Sequence, residues 1–592
     1  MDSSDQRRKR KRILRQSYFH LHLSSVRSLV VCFSLLTFLY LLSYTNPFTS
    51  SATRPVLVES SLSLVSSSSS RTVKSVQDFD DLLLPLKIEN RVLFPDHVLL
   101  LVSGVKKDWL MKNKLECVYY GKFGRFSGNF ARKNALFVDE YDVFRSIVRC
   151  PLPSVNYSSV VNLKLKNGIF KENNGIWMRN QTANSWENVA YEATVDGETA
   201  VVFVKGLHLR AGRESDPGQL TCHFGLGKWK MNRKFTLTTK ALTAAQEVVR
   251  CPLPKNISKS LDKAKGIRVM VGVTRRAKKR VLIPSVAKIF DSLLDDKKTE
   301  RKYELCVCSM VWNQASSIRE WIMYHSWLGV ERWFIYDNNS DDGLEEVLQE
   351  LDHENYNVTR RVWPWIKTQE AGFSHCALKA KDECNWIAFM DVDEYFYFPY
   401  APHRHHNTFD YVPQNSLRSL VGNFSRTIGE IRTSCHSFGP SGLRSPPSKG
   451  VTVGYTCRLL SPERHKSIIR PDALDSTLLN VVHHFHLKKG FKYINLHQSI
   501  GVINHYKYQV WEVFRAKFYR RVATYVADWH ENQNEGSRDR APGLGTEAIE
   551  PPDWPQKFCD VWDTGLRDFV LANLVDVSTG LLPWERHLDL TD

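Results

Sequence analysis

The stretch Trp386-Ile387-Ala388-Phe389-Met390-Asp391-Val392-Asp393-Glu394 decides how the C-terminal half of this 592-residue chain folds. Its apolar part, Trp386 to Met390, has the length of a buried strand and enters two carboxylates with no turn residue between. Residues two apart in an extended segment face the same way, so Asp391 and Asp393 offer their oxygens on one side. A hard divalent cation prefers such oxygens and usually completes its shell with phosphate and water. Acidic pairs are common on protein surfaces, and the position at the end of a buried strand is what makes this one informative.

Upstream, Leu305 to Val311 reads as a second buried strand. Ser316 to Leu328 follows as an amphipathic helix, with Ile318, Trp321, Ile322 and His325 at helical spacing. A strand over Arg332 to Tyr336, a helix over Leu344 to Leu351, a strand over Val358 to Val362 and a helix over Phe373 to Cys384 complete an alternation that calls for a parallel sheet. This half is α/β. Ligands of such sheets bind beyond the carboxyl ends of the strands. That rule singles out Asn313, placed to contact a base, Asp337, placed to accept hydrogen bonds from a base or ribose, and the pair Asp391 and Asp393.

Residues 90–274 read differently, as short apolar runs such as Val98 to Val102 and Ala200 to Val204 between Gly, Asn and Lys-rich turns. Within them lies a repeat. Cys117-Val118-Tyr119-Tyr120-Gly121 leads to Val148-Arg149-Cys150-Pro151-Leu152-Pro153, and Cys222-His223-Phe224-Gly225 leads to Val249-Arg250-Cys251-Pro252-Leu253-Pro254. The match suggests a duplicated β-rich, sandwich-like unit, each half closed by its own disulfide, Cys117 to Cys150 and Cys222 to Cys251, although spacing alone does not fix a pairing. Such a unit is either a plain structural sandwich or a carbohydrate-binding module with Trp177, Trp186 and Trp229 offered to sugar faces.

The formal charge of +18 would suit a nucleic-acid partner, but eight of the Lys and Arg sit in residues 1–27, a basic tail directly before the apolar run Ser28 to Tyr44. Basic residues ahead of a span of this length orient a type II membrane anchor with the N-terminus in the cytosol, and no nucleic acid is expected. A cleaved signal peptide is the alternative. Residues 45–89, rich in Ser, form a stem. Sequons at Asn156, Asn180, Asn256, Asn338, Asn357 and Asn423 fit a lumenal body. So do the cysteines, 11 of 12 of which follow the anchor, an odd number that leaves at least one without an intramolecular partner. Cys376 and Cys384 would stand about 12 Å apart on one continuous helix, too far to bridge each other.

Several ordered motifs now resemble glycosyltransferase family 92: Glu320-Trp321-Ile322-Met323-Tyr324-His325, Ile335 to Gly343, Ser374-His375-Cys376, Phe389 to Tyr395, His465-Lys466-Ser467-Ile468-Ile469 and Asn504-His505-Tyr506. The resemblance covers about residues 303–530, and in plant members a β-rich domain precedes the catalytic one. It implies a GT-A (Rossmann-like) catalytic domain over residues 300–545, with 546–592 as a C-terminal extension. It also implies Mn²⁺ as cofactor, a UDP-sugar donor, UDP-galactose foremost, and inverting transfer to a glycan or cell-wall acceptor, as in β-1,4-galactosyltransferases of galactan. In that reading Asp391, Asp393 and His505 hold the metal, Lys466 holds a phosphate, and Asp337 and Asn313 take the uridine side. Address and partners follow: a Golgi single-pass protein, with homodimerisation left open.

Inversion needs a general base opposite the departing diphosphate. Asp472, six residues beyond Lys466, is the first candidate and Glu463 the second. Glu394 is read as support for the acidic loop. The rival reading is a lectin-like membrane protein that binds glycan and carries a vestigial GT-A domain. His483, His484 and His486 lack the acidic or Cys partners of a zinc site and are read as acceptor contacts or packing.

Overall fold

The computed structural model describes residues 86–585 apart from 105–106, 113–114, 122–129, 167–181, 208, 210–212, 226–235, 260–264, 275–279, 291–300, 400–413, 482 and 526–548. The basic tail, the anchor Ser28 to Tyr44 and most of the stem lie outside the described residues, as do Trp177 and Trp229. Among the described residues no helix is long and apolar enough to cross a membrane.

The repeat folds as two sandwiches of like construction. In the first, a five-stranded sheet containing His97–Ser103 and Arg145–Pro151 faces a three-stranded sheet centred on Leu115–Gly121. In the second, a five-stranded sheet containing Thr199–Val204 and Val248–Pro252 faces a four-stranded sheet containing Leu220–Gly225. Each pair of sheets is stapled by the disulfide that the repeat suggested, Cys117–Cys150 and Cys222–Cys251. The correspondence extends to register: Val98 pairs with Cys150 in one copy and Ala200 with Cys251 in the other.

Side-chain alternation explains why these strands read as continuous apolar runs. Val98, Leu100 and Val102 point into the first sandwich, while Leu99 and Leu101 point out of it, and all five are buried. The outward set joins Tyr191, Val201 and Phe203 of the second sandwich in one core with Trp363, Trp365, Tyr336 and Phe373 of the C-terminal half. Trp186 lies at the same junction, half-buried, with Lys205 and Lys367 at 5.3 and 5.6 Å from its ring. It is committed to this seam rather than offered to a sugar.

The C-terminal half is built on a nine-stranded mixed sheet. Its strands in chain order are β1 (Tyr303–Val311), β2 (Arg332–Asp337), β3 (Val358–Val362), β4 (Cys384–Phe389), β5 (Glu394–Tyr397), β6 (Ile428–Ser437), β7 (Arg464–Ile469), β8 (Lys492–Asn495) and β9 (Val502–His505). The spatial order is β3-β2-β1-β4-β7-β6-β9-β5, with β8 also paired to β6. The first four are mutually parallel and linked by helices α1 (Ala315–Trp327), α2 (Leu344–His353) and α3 (Gln369–Ala380), as the strand–helix alternation required. β7 runs antiparallel to β4. Helix α4 (Trp511–Tyr525) follows β9.

Cys376 and Cys384 each find another partner. Cys306 pairs with Cys384 and Cys308 with Cys376, which ties β1 to β4 and to α3. The odd cysteine among the described residues is Cys435, buried in β6. The segment set apart as a C-terminal extension is part of the core: Cys559 bridges to Cys457, and Leu566, Val570, Leu582 and Trp584 pack with Trp321 and Tyr395.

Candidate functional site

Beyond β4 the chain makes a tight turn. The Glu394 N–H donates to the Asp391 carbonyl at 3.1 Å, and Glu394 Oε2 accepts from the Asp391 N–H at 3.0 Å. Glu394 then opens β5, where it faces His505 of β9. That pairing delivers His505 to the acidic turn, with Nε2 at 3.3 Å from Asp393 Oδ2 and Nδ1 at 3.7 Å from Glu394 Oε1. Tyr506 fixes the approach by donating its N–H to the Asp393 carbonyl at 2.8 Å.

β7 supplies the next group. Its register sets Ser467 opposite Phe389, so Lys466 falls beside Asp391. The Lys466 ammonium lies 2.7 Å from Asp391 Oδ2 and 2.9 Å from Glu394 Oε1. His483 Nε2 is 2.5 Å from the same ammonium and 3.8 Å from Asp391 Oδ2. From α4, Lys517 donates to Asp393 Oδ2.

Burial alone would raise the pKa of both aspartates. Lys466 and His483 reverse this for Asp391, and Lys517 and His505 for Asp393, so both stay ionised well below the usual carboxylate range. For Glu394 the compensation falls short. Burial, augmented by the charges of Asp391 and Asp393 and opposed by Lys466, pushes it up to about 8. Burial also pulls His505 down to about 4, against the opposing pull of Asp393, so its imidazole is neutral and free to ligate. Lys466 is held well above its ordinary range, because Asp391 and Glu394 outweigh the cost of burying it.

The residues fit a divalent cation. One ligand atom each from Asp393, Glu394 and His505 lie within 4.8 Å of one another. Glu394 Oε1 is buried without a hydrogen bond of acceptable geometry, although the Lys466 ammonium is 2.9 Å away. Two carboxylates and an imidazole suit Mn²⁺ or Mg²⁺ chemistry. Two ammonium groups already sit on the aspartates, which marks the turn as a place built for positive charge.

Of the residues singled out from the sequence, Asp391, Asp393, Lys466 and His505 come together. Asn313 and Asp337 follow β1 and end β2 at the same edge of the sheet, but their side chains are engaged by protein. Asn313, at φ 51°, donates to Asp341 Oδ1 at 2.7 Å and accepts from the Asp341 N–H at 2.9 Å. Asp337 is buried and accepts from the Ser340 N–H at 2.9 Å and from Arg360 Nε at 2.8 Å.

Asp472 does not join the site. β7 leaves Lys466 in the direction that pairs Ile469 with Ile387, so it carries Asp472 to the opposite end of β4, where its carboxylate lies 3.5 Å from Arg301. Glu463 is at the correct end: partial burial would raise its pKa, but hydrogen bonds accepted from Ser437 Oγ at 2.5 Å and Lys507 Nζ at 3.1 Å outweigh it and keep it ionised below its ordinary range.

Glu394, read from the sequence as support for the acidic loop, is a member of the cluster itself. Two further members, His483 and Lys517, were not assigned to it by sequence reasoning. His483 was visible only as one of three histidines in a strand-like run, and Lys517, on a distant helix, had no local signal.

A family model described as Glycosyltransferase family 92 matches residues 301–541. A glycosyltransferase family 92 protein of Ricinus communis is 54% identical over 98% of this chain and 99% of its own length. One from Arabidopsis thaliana is 54% identical over 85% of each chain. Among solved structures, the mannosyltransferase PcManGT from Pyrobaculum calidifontis in complex with GDP-Man and Mn²⁺ aligns at 12% identity with a TM-score of 0.23, covering 50% of this chain and 80% of that one.

Proposed function

As this chain belongs to glycosyltransferase family 92, we propose that it moves a hexose, galactose from UDP-galactose foremost, onto a glycan or cell-wall polysaccharide with inversion of the anomeric centre. The observation that carries this reading is the acidic turn after β4, where Asp391, Asp393, Glu394, Lys466 and His505 converge. The catalytic half is read as a GT-A domain.

Asp393, Glu394 and His505 would hold Mn²⁺, with Asp391 beside it. Bound there, the ion supplies electrostatic stabilisation to the departing diphosphate. Lys466, already desolvated and charged, follows the same leaving group as an ammonium on a flexible stem. Asp337 and Asn313, at the neighbouring strand ends, take the uridine side once Arg360 and Asp341 share them. Glu463 replaces Asp472 as the general base: it is ionised, lies at the site's end of β7 and accepts the proton of the incoming hydroxyl. We read this body as lying in the Golgi lumen as a type II protein, supported by the basic residues ahead of the apolar run Ser28 to Tyr44.

The test is a lumenal fragment starting in the stem, incubated with a panel of UDP-sugars and Mn²⁺. Donor turnover that disappears in Asp393→Ala supports the transferase. Glycan binding with turnover of no donor would sink it in favour of the lectin-like reading.

A further inference from the structure

The two aspartates of the acidic turn are met by ammonium groups one for one. Asp391 Oδ2 has Lys466 Nζ at 2.7 Å, and Asp393 Oδ2 accepts from Lys517 Nζ. Their charge is thus balanced by the protein itself. Holding a divalent ion among Asp393, Glu394 and His505 adds two positive charges to a buried cluster, where like charges repel strongly. It also claims Asp393, the carboxylate that Lys517 holds, at the oxygen that lies 3.3 Å from His505 Nε2.

Which ammonium can give way follows from how each is mounted. Lys466 stands within β7, its side chain 8% exposed, between Asp391, Glu394 at 2.9 Å and His483 at 2.5 Å. Lys517 reaches in from α4, and its side chain is 19% exposed. The helix is pinned, because Phe514 and Phe518 on either side of Lys517 are buried with Tyr508 and Trp554. Its backbone is therefore fixed at the rim of the cluster while the four-carbon stem can swing.

We propose that Lys517 is a built-in stand-in for the divalent cation. It neutralises Asp393 until the metal binds, then gives that carboxylate up and turns its ammonium to the diphosphate of the nucleotide. The proposal rests on the transferase reading and deepens it by assigning how the same site is regulated. Metal and nucleotide then bind as a pair, because the diphosphate supplies both the negative charge the added cation needs and a new partner for Lys517. The coupling is reciprocal: the factor by which UDP strengthens metal binding is the factor by which metal strengthens UDP binding.

The test follows Mn²⁺ binding to the full-length chain in detergent by the loss of the free-ion paramagnetic resonance signal, with and without UDP. Lys517→Met is expected to tighten Mn²⁺ binding roughly fivefold to twentyfold in the absence of UDP, the scale of one partly screened charge pair, and to shrink the gain that UDP brings. Lys517→Arg, which keeps the charge, should leave the Mn²⁺ affinity near that of the unaltered protein. In thermal unfolding the Met variant should be raised further than the unaltered protein by the same concentration of Mn²⁺. Lys517→Gln serves the same measurements if the Met variant does not fold. Mn²⁺ affinity without UDP that is unchanged or weaker in the neutral variants, while UDP and Mn²⁺ still bind together, overturns the stand-in and leaves the transferase reading in place. Absence of Mn²⁺ binding to the unaltered protein, with or without UDP, overturns the metal-dependent reading and this proposal with it.

Discussion

Arg360 Nη2 lies 2.6 Å from Asp139 Oδ2 and 2.7 Å from Asp337 Oδ2, so one guanidinium joins the first sandwich to the end of β2. Asp139 also faces Lys107 at 3.2 Å, and is itself buried. Truncating it removes an anion that Arg360 and Lys107 share, leaving Asp337 and Glu345 to Arg360 and Glu345 to Lys107. Asp139→Ala should therefore destabilise the protein by roughly 1.5–3 kcal/mol, and Asp139→Asn by less, in chemical denaturation. A loss below about 1 kcal/mol would show that the seam hydrates freely.

The same seam makes the catalytic half dependent on what precedes it. Trp363, Trp365 and Tyr336 share a core with Leu99, Tyr141, Tyr191 and Phe203. A fragment starting near Arg301 would expose that contiguous apolar surface, and should elute as aggregate or fail to express in soluble form. A monodisperse fragment with the thermal stability of the whole body would contradict this.

Lys466 is the cation nearest Asp391 and is almost wholly desolvated, where a charge acts most strongly on a leaving group. Lys466→Met should lower kcat for transfer by roughly 10²–10³-fold, the usual cost of one preorganised donor, with a smaller change in donor KM. Equal changes in both ratios, or a loss confined to KM, would assign Lys466 to ground-state binding instead.

How much of this could be read beforehand follows from how local each signal is. The acidic turn is legible because an apolar strand and its carboxylates are contiguous, and the disulfides of the sandwiches because the repeat prints each pair twice. Asp472 misleads for a geometric reason: six residues of extended chain are a distance, and the antiparallel course of β7 spends it away from Asp391. Lys517 reaches Asp393 only because α4 docks across the end of the sheet, a tertiary event with no periodicity to announce it. Trp186 looks like an exposed sugar platform until the second surface arrives, carrying Lys367 to its ring. Residues 546–592 read as an extension because their apolar pieces are short, yet Val570 and Trp584 belong to the main core.

The Cys308–Cys376 bridge closes a loop of 68 residues between β1 and α3. Because Cys306–Cys384 already joins nearly the same points, the loop this bridge adds runs through it over about 10 residues, for which the chain-entropy argument gives roughly 3 kcal/mol. The double variant Cys308→Ala/Cys376→Ala should lose about 2–4 kcal/mol in guanidinium denaturation, whereas Cys435→Ala, which opens no loop, should lose much less. Equal losses in the two variants would mean that packing at Cys308 and Cys376, rather than the bridge, supplies the stability.

His325 gives the protein a pH dependence whose sign can be worked out. Its Nδ1 lies 2.9 Å from the Trp321 carbonyl and donates to it, while Nε2 accepts the Phe396 N–H at 3.2 Å, an arrangement that only the neutral ring can make. Burial pulls its pKa from 6.5 down to about 3. Between those values the unfolded chain takes up a proton that the native protein refuses, so stability rises with pH across this window and is lost as acid is added. One such group contributes a slope of about 1.4 kcal/mol per pH unit. His325→Gln should lower stability near neutrality by about 1–3 kcal/mol, through the disturbed Phe396 and Trp321 bonds. It should also flatten the dependence of urea-unfolding free energy on pH by one proton between about pH 3 and 6.5. Burial lowers His375, His483 and His505 in the same direction, so the difference between the two proteins, and not the total slope, is the quantity to compare. Parallel curves would mean that His325 enters the native core protonated, and that the bond from Phe396 is not made.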